Sequence, residues 1–312
     1  ASDVRVTTAK TAKGAATGSF SGVIRPGDAF ELAFAYDTPG ELEFEAALAN
    51  VPFSVHLGLY NDETGRASTW HIPQAHSLET WSDIRAFDGT TTIMQPLIST
   101  FYGGISEHQL LAALQGQPNV ATYDLIRGFW NSRVDGDFEQ FWRQTVYRGT
   151  VSGTASGTAT ATLADAGADL PEMDGSALSI TFRPDPAITD SRWANNGWLQ
   201  ELPRPFTKLT WDNAALVSPA TAEALGVSNG DVVNLSVDGR SVEAPIWILP
   251  GQAPNTVTVN LGFGRRAAGN IGDGVGFDAY SIMPTDGWWS PVAVQPTGGR
   301  YTLVSTQPHH GL

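Results

Sequence analysis

The sequence predicts a mixed α/β segment followed by a C-terminal β-barrel. Between Ser106 and Val146 three amphipathic stretches carry helix start and stop signals. Between Trp211 and Gly264 one short capped helix precedes three strand-length apolar runs with turn dipeptides between them, a grammar that suits a small barrel better than a doubly wound sheet. The stretch from Gly149 to Asp169, GTVSGTASGTATATLADAGAD, is rich in Gly, Ala, Thr and Ser and reads as the linker between the two parts.

Taken in order, residues 7–22 are small and polar and are expected to be poorly ordered. Asp37 to Asn50 reads as a turn and a short helix carrying Leu42, Phe44 and Leu48, and Phe53 to Leu59 as a strand. Residues 61–92 read as loop-rich with scattered aromatics. Ser106-Glu107-His108-Gln109 forms a capping box ahead of Leu110, Leu111 and Leu114, and Gly116 ends that helix. A second helix covers Tyr123 to Trp130, and a third starts at Asp137 and buries Phe138, Phe141, Trp142 and Val146. In the C-terminal part Ser218 is the N-cap, Pro219 the first helical residue and Gly226 the C-terminal stop. Asn229-Gly230 and Asp238-Gly239 are turn dipeptides. Val232, Leu235 and Val237, then Val242, Ile246 and Ile248, then Val257, Val259 and Leu261 supply the apolar strand positions. The expected division is 1–35 a divergent or poorly ordered segment, 36–150 an α/β domain, 151–175 the linker, 176–308 the barrel, and 309–312 a tail.

Composition narrows the function. Lys+Arg is 18 against Asp+Glu 32, a formal charge of −14, which disfavours nucleic acid and anionic membrane surfaces as partners. The chain has no cysteine, so it carries no thiolate-bound iron–sulfur cluster, no Cys-ligated zinc, no disulfide and no Cys nucleophile. No apolar run approaches the roughly 20 residues that span a bilayer. The start ASDVRVTTAK lacks the apolar core of a signal peptide and reads as a mature or trimmed terminus. No Walker loop is present, and no catalytic residue is singled out.

The same barrel stretch resembles the C-terminal domain of molybdopterin oxidoreductases. A nearer likeness is carried by WANNGWLQELPRPFTKLTWDNAALVSP, from Trp193 to Pro219, and by TQPHH near the end. Together with YDTPGELEFEAALANVPFSVHLGLYNDETG and WHIPQAHSLETWSDIRAFDGTTTIMQPLI upstream, these strings resemble the large iron–sulfur subunit of alternative complex III, a bacterial quinol-oxidising membrane complex. The likeness runs from Tyr36 to His310 and leaves residues 1–35 outside it. It implies a six-stranded double-psi β-barrel at residues 176–308 and a fold of this family that works without the metal cofactor. It also implies export by the twin-arginine route to the periplasmic face of the inner membrane.

Six residues are candidates for pterin or anion binding. Gly262-Phe263-Gly264-Arg265-Arg266-Ala267 matches the dinucleotide fingerprint G-x-G-x-x-A after a strand, but AAGNIGDGVGFDAY follows, too glycine-rich to open a helix, so the Rossmann reading is rejected. The loop could still wrap an anion with backbone amides and the guanidinium forks of Arg265 and Arg266; otherwise these arginines pair with local acids such as Asp273. In metal-containing relatives the region equivalent to Asn195 and Asn196 helps hold the pterin. The plainer reading is a turn at Asn-Asn-Gly with Trp193 and Trp198 packed in the core.

His71 and His76 are weak metal candidates, with Glu79, Asp83 and Asp88 near in sequence to complete a site. Five-residue spacing with Pro73 between them is not helical ligand geometry. The WHIP string stands where the resemblance puts a cofactor-facing loop. His309 and His310 match a pair that precedes the ferredoxin-like cluster domain in relatives. Here Leu312 follows, which implies a truncated polypeptide or a cluster domain on another chain. Trp288 and Trp289 follow Asp286-Gly287; adjacent positions of an extended segment face opposite sides, so at least one is expected at a subunit interface.

The expected function is a non-catalytic, molybdopterin-oxidoreductase-like scaffold in an iron–sulfur subunit of a quinol-oxidising respiratory complex. It would hold neighbouring subunits, a cluster-bearing domain among them, with no cofactor of its own and with iron–sulfur clusters only in a partner or missing segment. One alternative is the C-terminal part of a genuine molybdenum oxidoreductase that binds molybdopterin guanine dinucleotide. A third is a secreted aromatic-rich binding module, suggested by ten tryptophans.

Overall fold

A computed structural model describes residues 34–160, 177–285 and 287–307. The expected N-terminal segment up to residue 33, the part of the linker from residue 161, and the tail 309–312 lie outside the described residues. In chain order the first elements are α1 (Phe34–Asp37), a 3-10 turn (Gly40–Leu42), α2 (Phe44–Leu48), β1 (Val55–Gly58), α3 (Glu63–Ala67) and β2 (Trp70–Pro73). Then come β3 (Ser82–Arg85), β4 (Thr91–Met94), α4 (Glu107–Leu114), α5 (Thr122–Asn131), α6 (Phe138–Arg148) and β5 (Thr150–Val151). The C-terminal part holds β6 (Ser179–Pro184), α7 (Gly197–Glu201), β7 (Ala215–Val217), α8 (Pro219–Leu225), β8 (Asp231–Val237), β9 (Arg240–Ile248) and β10 (Thr256–Leu261). A 3-10 turn (Tyr280–Ile282), β11 (Trp289–Pro291) and β12 (Ala293–Arg300) complete it.

These elements fall into two compact units, and the chain passes between them more than once. Within the described residues one unit holds 53–60 and 69–160; the other holds 34–52, 61–68 and 177–307. The expected 36–150 domain thus gives up 36–52 and 61–68 to the C-terminal unit. The short helix expected with Leu42, Phe44 and Leu48 forms over Phe44–Leu48, where no residue is buried, and Leu42 lies exposed in the preceding 3-10 turn. The 61–92 stretch is more regular than expected: it contains α3, β2, β3 and the start of β4, and the WHIP string is β2 itself.

In the first unit β3, β4 and β5 form an antiparallel sheet, and β1 pairs with β2 in parallel. Ile93, Ile126, Trp130, Trp142 and Val151 form its core, with Trp81, Phe129, Phe138 and Phe141 packed around them. The capping box forms as expected: Gln109 N donates to Ser106 Oγ and Ser106 N donates to Gln109 Oε1. Asp137 caps α6, and Gly149 closes it at φ 77°. The first residues of the expected linker belong to this unit, since Val151 pairs with Thr91 and Thr154 Oγ1 accepts a bond from Thr91 N.

The second unit is built on a mixed seven-stranded sheet of order β11-β6-β10-β7-β9-β8-β12. Its edge strands β11 and β12 are separated in sequence by Val292 alone. Flat, six inter-strand steps of ~4.8 Å would set the edges ~29 Å apart, whereas two residues reach at most ~7 Å. The sheet therefore curls until its edges meet at Val292. Val233, Leu235, Val237, Ala244, Ile246, Val257, Val259 and Leu261 fill the inside. Alternation along β8 shows why: its odd-numbered positions 233–237 are buried, and a one-residue slip would turn them all to solvent.

The caps of α8 stand where its sequence puts them. Thr221 N donates to Ser218 Oγ, Pro219 opens the helix, and Gly226 ends it in the left-handed region at φ 66°. Asp238 and Gly239 both have positive φ, 47° and 82°, as a tight β8–β9 hairpin requires. Nothing lies within 4 Å of a Cβ built on Gly226, so only its backbone conformation opposes a side chain. Gly226→Val should therefore cost at least about 1 kcal/mol, read as a lower denaturant midpoint at unchanged slope.

Candidate functional site

The glycine-rich loop 262–276 follows β10 and is held by residues from far away in sequence. Gly262 and Gly264 take positive φ, 100° and 72°. A Cβ on Gly264 would lie 2.3 Å from Asp278 N, and one on Gly262 would lie 3.0 Å from Ser191 N and Thr189 O. Both glycines are thus pressed against the chain's own backbone.

Glu63, the first residue of α3, enters this loop and is 4% exposed. Its carboxylate accepts from Arg265 Nε at 3.1 Å and Nη2 at 2.7 Å, from Arg266 N at 2.7 Å and from Ala267 N at 2.9 Å. Burial alone would push this carboxyl up, but the hydrogen bonds and charge of Arg265 outweigh it and hold the group at about 2. Arg265 Nη1 donates to Ser191 Oγ at 3.1 Å, and its guanidinium lies 4.7 Å from the centre of the Tyr36 ring. Tyr36 Oη donates to Phe263 O at 2.6 Å, and its ring packs edge-on against Tyr280. The expected pairing of Arg265 with Asp273 does not form: Asp273 Oδ1 accepts from Gly269 N instead. Arg266 reaches outward to Glu45, with Nη2 2.8 Å from Oε2.

Asn195 and Asn196 sit beside the same loop. Asn195 Oδ1 accepts from Ile271 N at 3.0 Å and Gly272 N at 3.3 Å; Asn196 Oδ1 caps α7 through Leu199 N at 3.3 Å. Trp193 and Trp198, expected in the core, are both exposed. A second buried ion pair stiffens this region. Asp185 accepts from Ala187 N, Ile188 N and Arg204 Nε, and Arg204 Nη1 donates to Gln200 O. Arg204 Nη2 has no hydrogen-bond partner; its guanidinium lies 5.3 Å from the Phe263 ring centre, a weaker N–H···π environment.

Among the described residues this unit opens clefts on its surface, two of which matter here. One, of about 270 Å³, is lined by residues that include Arg183, Arg204, Phe206 and Asn260. The other, of about 560 Å³, is lined by Tyr36, Glu43, Glu45, Asp278 and neighbours. None of the six residues singled out as pterin or anion candidates lines either cleft. Burial raises Asp278 to about 7 and Asp37 to about 6. The sequence reading missed Tyr36, Asp37, Glu63, Asp185, Ser191, Arg204 and Asp278. Their partners lie up to 227 residues away, and no local pattern marks them.

In the other unit His71 and His76 do not converge. His76 Nδ1 accepts from Leu78 N, while His71 faces His56 across the β1–β2 pair. Asp83 bonds Trp130 Nε1, Asp88 bonds Thr90, and Glu79 bonds His76 N and Phe101 N, so these acids complete no site with the histidines. Among the described residues no group of three or more His, Asp or Glu is placed to hold a metal ion. Ser82 Oγ lies 2.9 Å from His108 Nε2, but Ser82 is buried and closed to a substrate. Trp288 and Trp289 expose 57% and 40% of their surface.

No protein-family model matches the chain. The structure of acetylene hydratase from Pelobacter acetylenicus superposes with a TM-score of 0.57 at 13% identity, over 85% of this chain and 43% of that one, a likeness of fold. The chain is a relative of the molybdopterin oxidoreductases, from the C-terminal part of that family. In particular it is 26% identical over 274 residues to the menaquinone reductase molybdopterin-binding-like subunit of Nitratidesulfovibrio vulgaris, covering 81% of this chain and 38% of that subunit. It is 36% identical over 72 residues to the thiosulfate reductase molybdopterin-containing subunit of Salmonella typhimurium, covering 23% of this chain and 9% of that one. The chain thus spans less than half the length of these curated relatives.

Replacing Glu63 by Gln strands a buried guanidinium and should lower unfolding free energy by about 3 kcal/mol or more, measured by denaturant titration. A pH series checks the electrostatics separately. Asp37 and Asp278 have raised values, so their ionisation opposes folding as pH rises through about 6 and 7. Glu63 is depressed, so its contribution is present above the ordinary 4.5 and is lost as pH falls towards about 2. Stability should rise by on the order of 4 kcal/mol from about pH 8 to about pH 5, then fall below about pH 4.

Proposed function

We propose that this chain is a non-catalytic scaffold, the molybdopterin-oxidoreductase-like part of a subunit in a membrane-associated, quinol-oxidising respiratory complex such as alternative complex III. The observation that carries the reading is the occupied anion site in the glycine-rich loop. The backbone amides of Arg266 and Ala267 and the fork of Arg265 do gather a negative group, and that group is the carboxylate of Glu63. A pterin dinucleotide would bring phosphates to amides already satisfied from within. The residues present do not fit that cofactor. Asn195 and Asn196 spend their side-chain oxygens on the chain's own amides, and Gly262 and Gly264 are closed by Ser191, Thr189 and Asp278. The larger cleft is lined by Glu43, Glu45 and Asp278, a poor setting for a diphosphate.

The finer fold reading is a six-stranded double-psi barrel. Counting β11 and β12 as one strand bent at Val292, the second unit has six strands. At its centre β6/β10 and β7/β9 are parallel pairs flanking the antiparallel β10/β7 pair, an arrangement with approximate two-fold symmetry. The domain limits 36–150 and 176–308 stay part of this proposal, with 36–52 and 61–68 reassigned to the barrel unit. The chain is placed on the periplasmic face of the inner membrane, joined to a cluster-bearing partner. No helix among the described residues is long and apolar enough to cross a membrane. The name of the Nitratidesulfovibrio relative, a molybdopterin-binding-like subunit of a menaquinone reductase, supports membership in such a complex.

Molybdenum analysis and pterin extraction on the intact native complex test the central claim. The expected result is no molybdenum and no pterin assigned to this chain. Stoichiometric molybdenum or an extractable pterin held by it would establish instead the genuine molybdenum oxidoreductase, the reading favoured by the short thiosulfate reductase match.

Trp288 and Trp289 are the proposed interface anchors, large rings exposed on an acidic surface. Replacing the ring that a partner covers by Ala should weaken assembly by at least about 1 kcal/mol and leave the melting transition of the isolated chain in place. Unchanged assembly with both rings removed would sink the assignment.

A further inference from the structure

His56 and His71 occupy directly opposed positions of the parallel β1–β2 pair, in a register that also matches Val55 with Trp70 and Leu57 with Ile72. Their Nδ1 atoms lie 3.0 Å apart, with ring centroids 5.1 Å apart and the planes inclined by 31°. Both side chains are half-buried. As neutral rings they can share one proton, with Nδ1–H of one donating to Nδ1 of the other.

That separation is also the bite of a metal chelate. Two imidazole nitrogens at 2.0–2.1 Å from one ion, with an angle between a right angle and the tetrahedral value, stand about 2.9–3.4 Å apart. A second feature fixes the arrangement. A Cβ on Gly58 would lie 2.6 Å from His56 Cε1, so the ring rests over Gly58 and needs a residue without a side chain there. The strand pair thus supplies the backbone spacing, and Gly58 supplies the room that lets His56 turn towards His71.

We propose that His56 and His71 form a two-histidine site for a late first-row divalent ion of the Zn(II), Ni(II) or Cu(II) class, bound through both Nδ1 atoms and completed by water. Imidazole suits these ions, and with only two protein ligands the site is open and of modest affinity. Binding moves the shared proton. Both rings become Nε2–H tautomers, each Nδ1 lone pair forms one bond to the metal, and no electron changes hands. The site involves no pterin and stands independently of the scaffold reading.

Cu(II) is the sensitive probe, because it binds nitrogen ligands most tightly in this series. It is titrated calorimetrically into the full chain carrying His309→Ala and His310→Ala, which removes the adjacent terminal pair as a competitor. The expected result is one Cu(II) per chain with an electron paramagnetic resonance spectrum showing two imidazole nitrogens. His56→Asn and His71→Asn should each weaken binding at least about tenfold, while His76→Asn leaves it unchanged. Gly58→Ala guards against a folding artefact. It removes no ligand and its Cβ meets only the His56 ring, so it too should weaken binding in a chain that melts normally. Absence of stoichiometric Cu(II), or an affinity that survives loss of both His56 and His71, overturns the site.

Discussion

The unit built on the curled sheet depends on one internal contact, the carboxylate of Glu63 inside the loop that follows β10. Arg265 and Glu63 are 202 residues apart, and bringing such distant positions together costs roughly 5 kcal/mol of chain entropy before any contact is made. Both groups must also leave water, which costs several kcal/mol per ion unless every hydrogen-bonding position is filled. Here those positions are filled. Two backbone amides and two guanidinium nitrogens surround the carboxylate, Ser191 takes another guanidinium nitrogen, and the Tyr36 ring lies beside the guanidinium. The contact joins α1, α3, the 185–191 turn and the glycine-rich loop, segments that share no continuous stretch of sequence.

The carboxylates round this contact divide by their hydrogen bonds. Glu63 is held ionised because four donors face it. Asp278 is more weakly compensated: amide bonds at Tyr280 and Ser281 and the charge of Arg266 lower it, but burial outweighs them and leaves it near neutrality. Asp37 is pushed up by burial too, and the nearby Asp190 and Asp62 add to the rise while Arg265 opposes it. Carboxyls that titrate near neutral pH are often signs of catalytic acids. In this unit burial is the largest cause for both, opposed at Asp37 by the charge of Arg265 and at Asp278 by that of Arg266.

What the sequence revealed was the local part. Ser218, Pro219 and Gly226 specify a helix within eight residues of each other, and Asp238-Gly239 specifies a hairpin with two residues, because caps and turns are satisfied by near neighbours. Of the strand positions expected in β8, Leu235 and Val237 do point inward, but Val232 is only partly buried and Val233 takes the inner place, because the alternation of period two runs through 233, 235 and 237. The glycines and paired arginines of the loop after β10 were legible in the same way, but only as an open choice between an external anion and an acid of the chain itself. The acid was not legible, since Glu63 lies in a stretch that otherwise reads as a loop and nothing beside it marks a long-range partner. The short helix at Phe44–Leu48 was legible, but not that it would bury none of its residues. Apolar spacing shows which residues share a face, and only the tertiary fold decides whether anything covers it.

An anion site filled from within also bears on what the unit can do. A loop that waits for a phosphate keeps unsatisfied amides and gains its order when the ligand arrives. A loop that holds its own carboxylate is ordered from the moment of folding, with the same amides and the same fork, and needs no ligand for stability. Such order would suit the scaffold role proposed above. The glycines remain necessary, since Gly262 and Gly264 still approach the backbone of Ser191 and Asp278 too closely for any side chain, and the arginine remains necessary to neutralise Glu63. The glycines and the arginine thus have a packing role of their own.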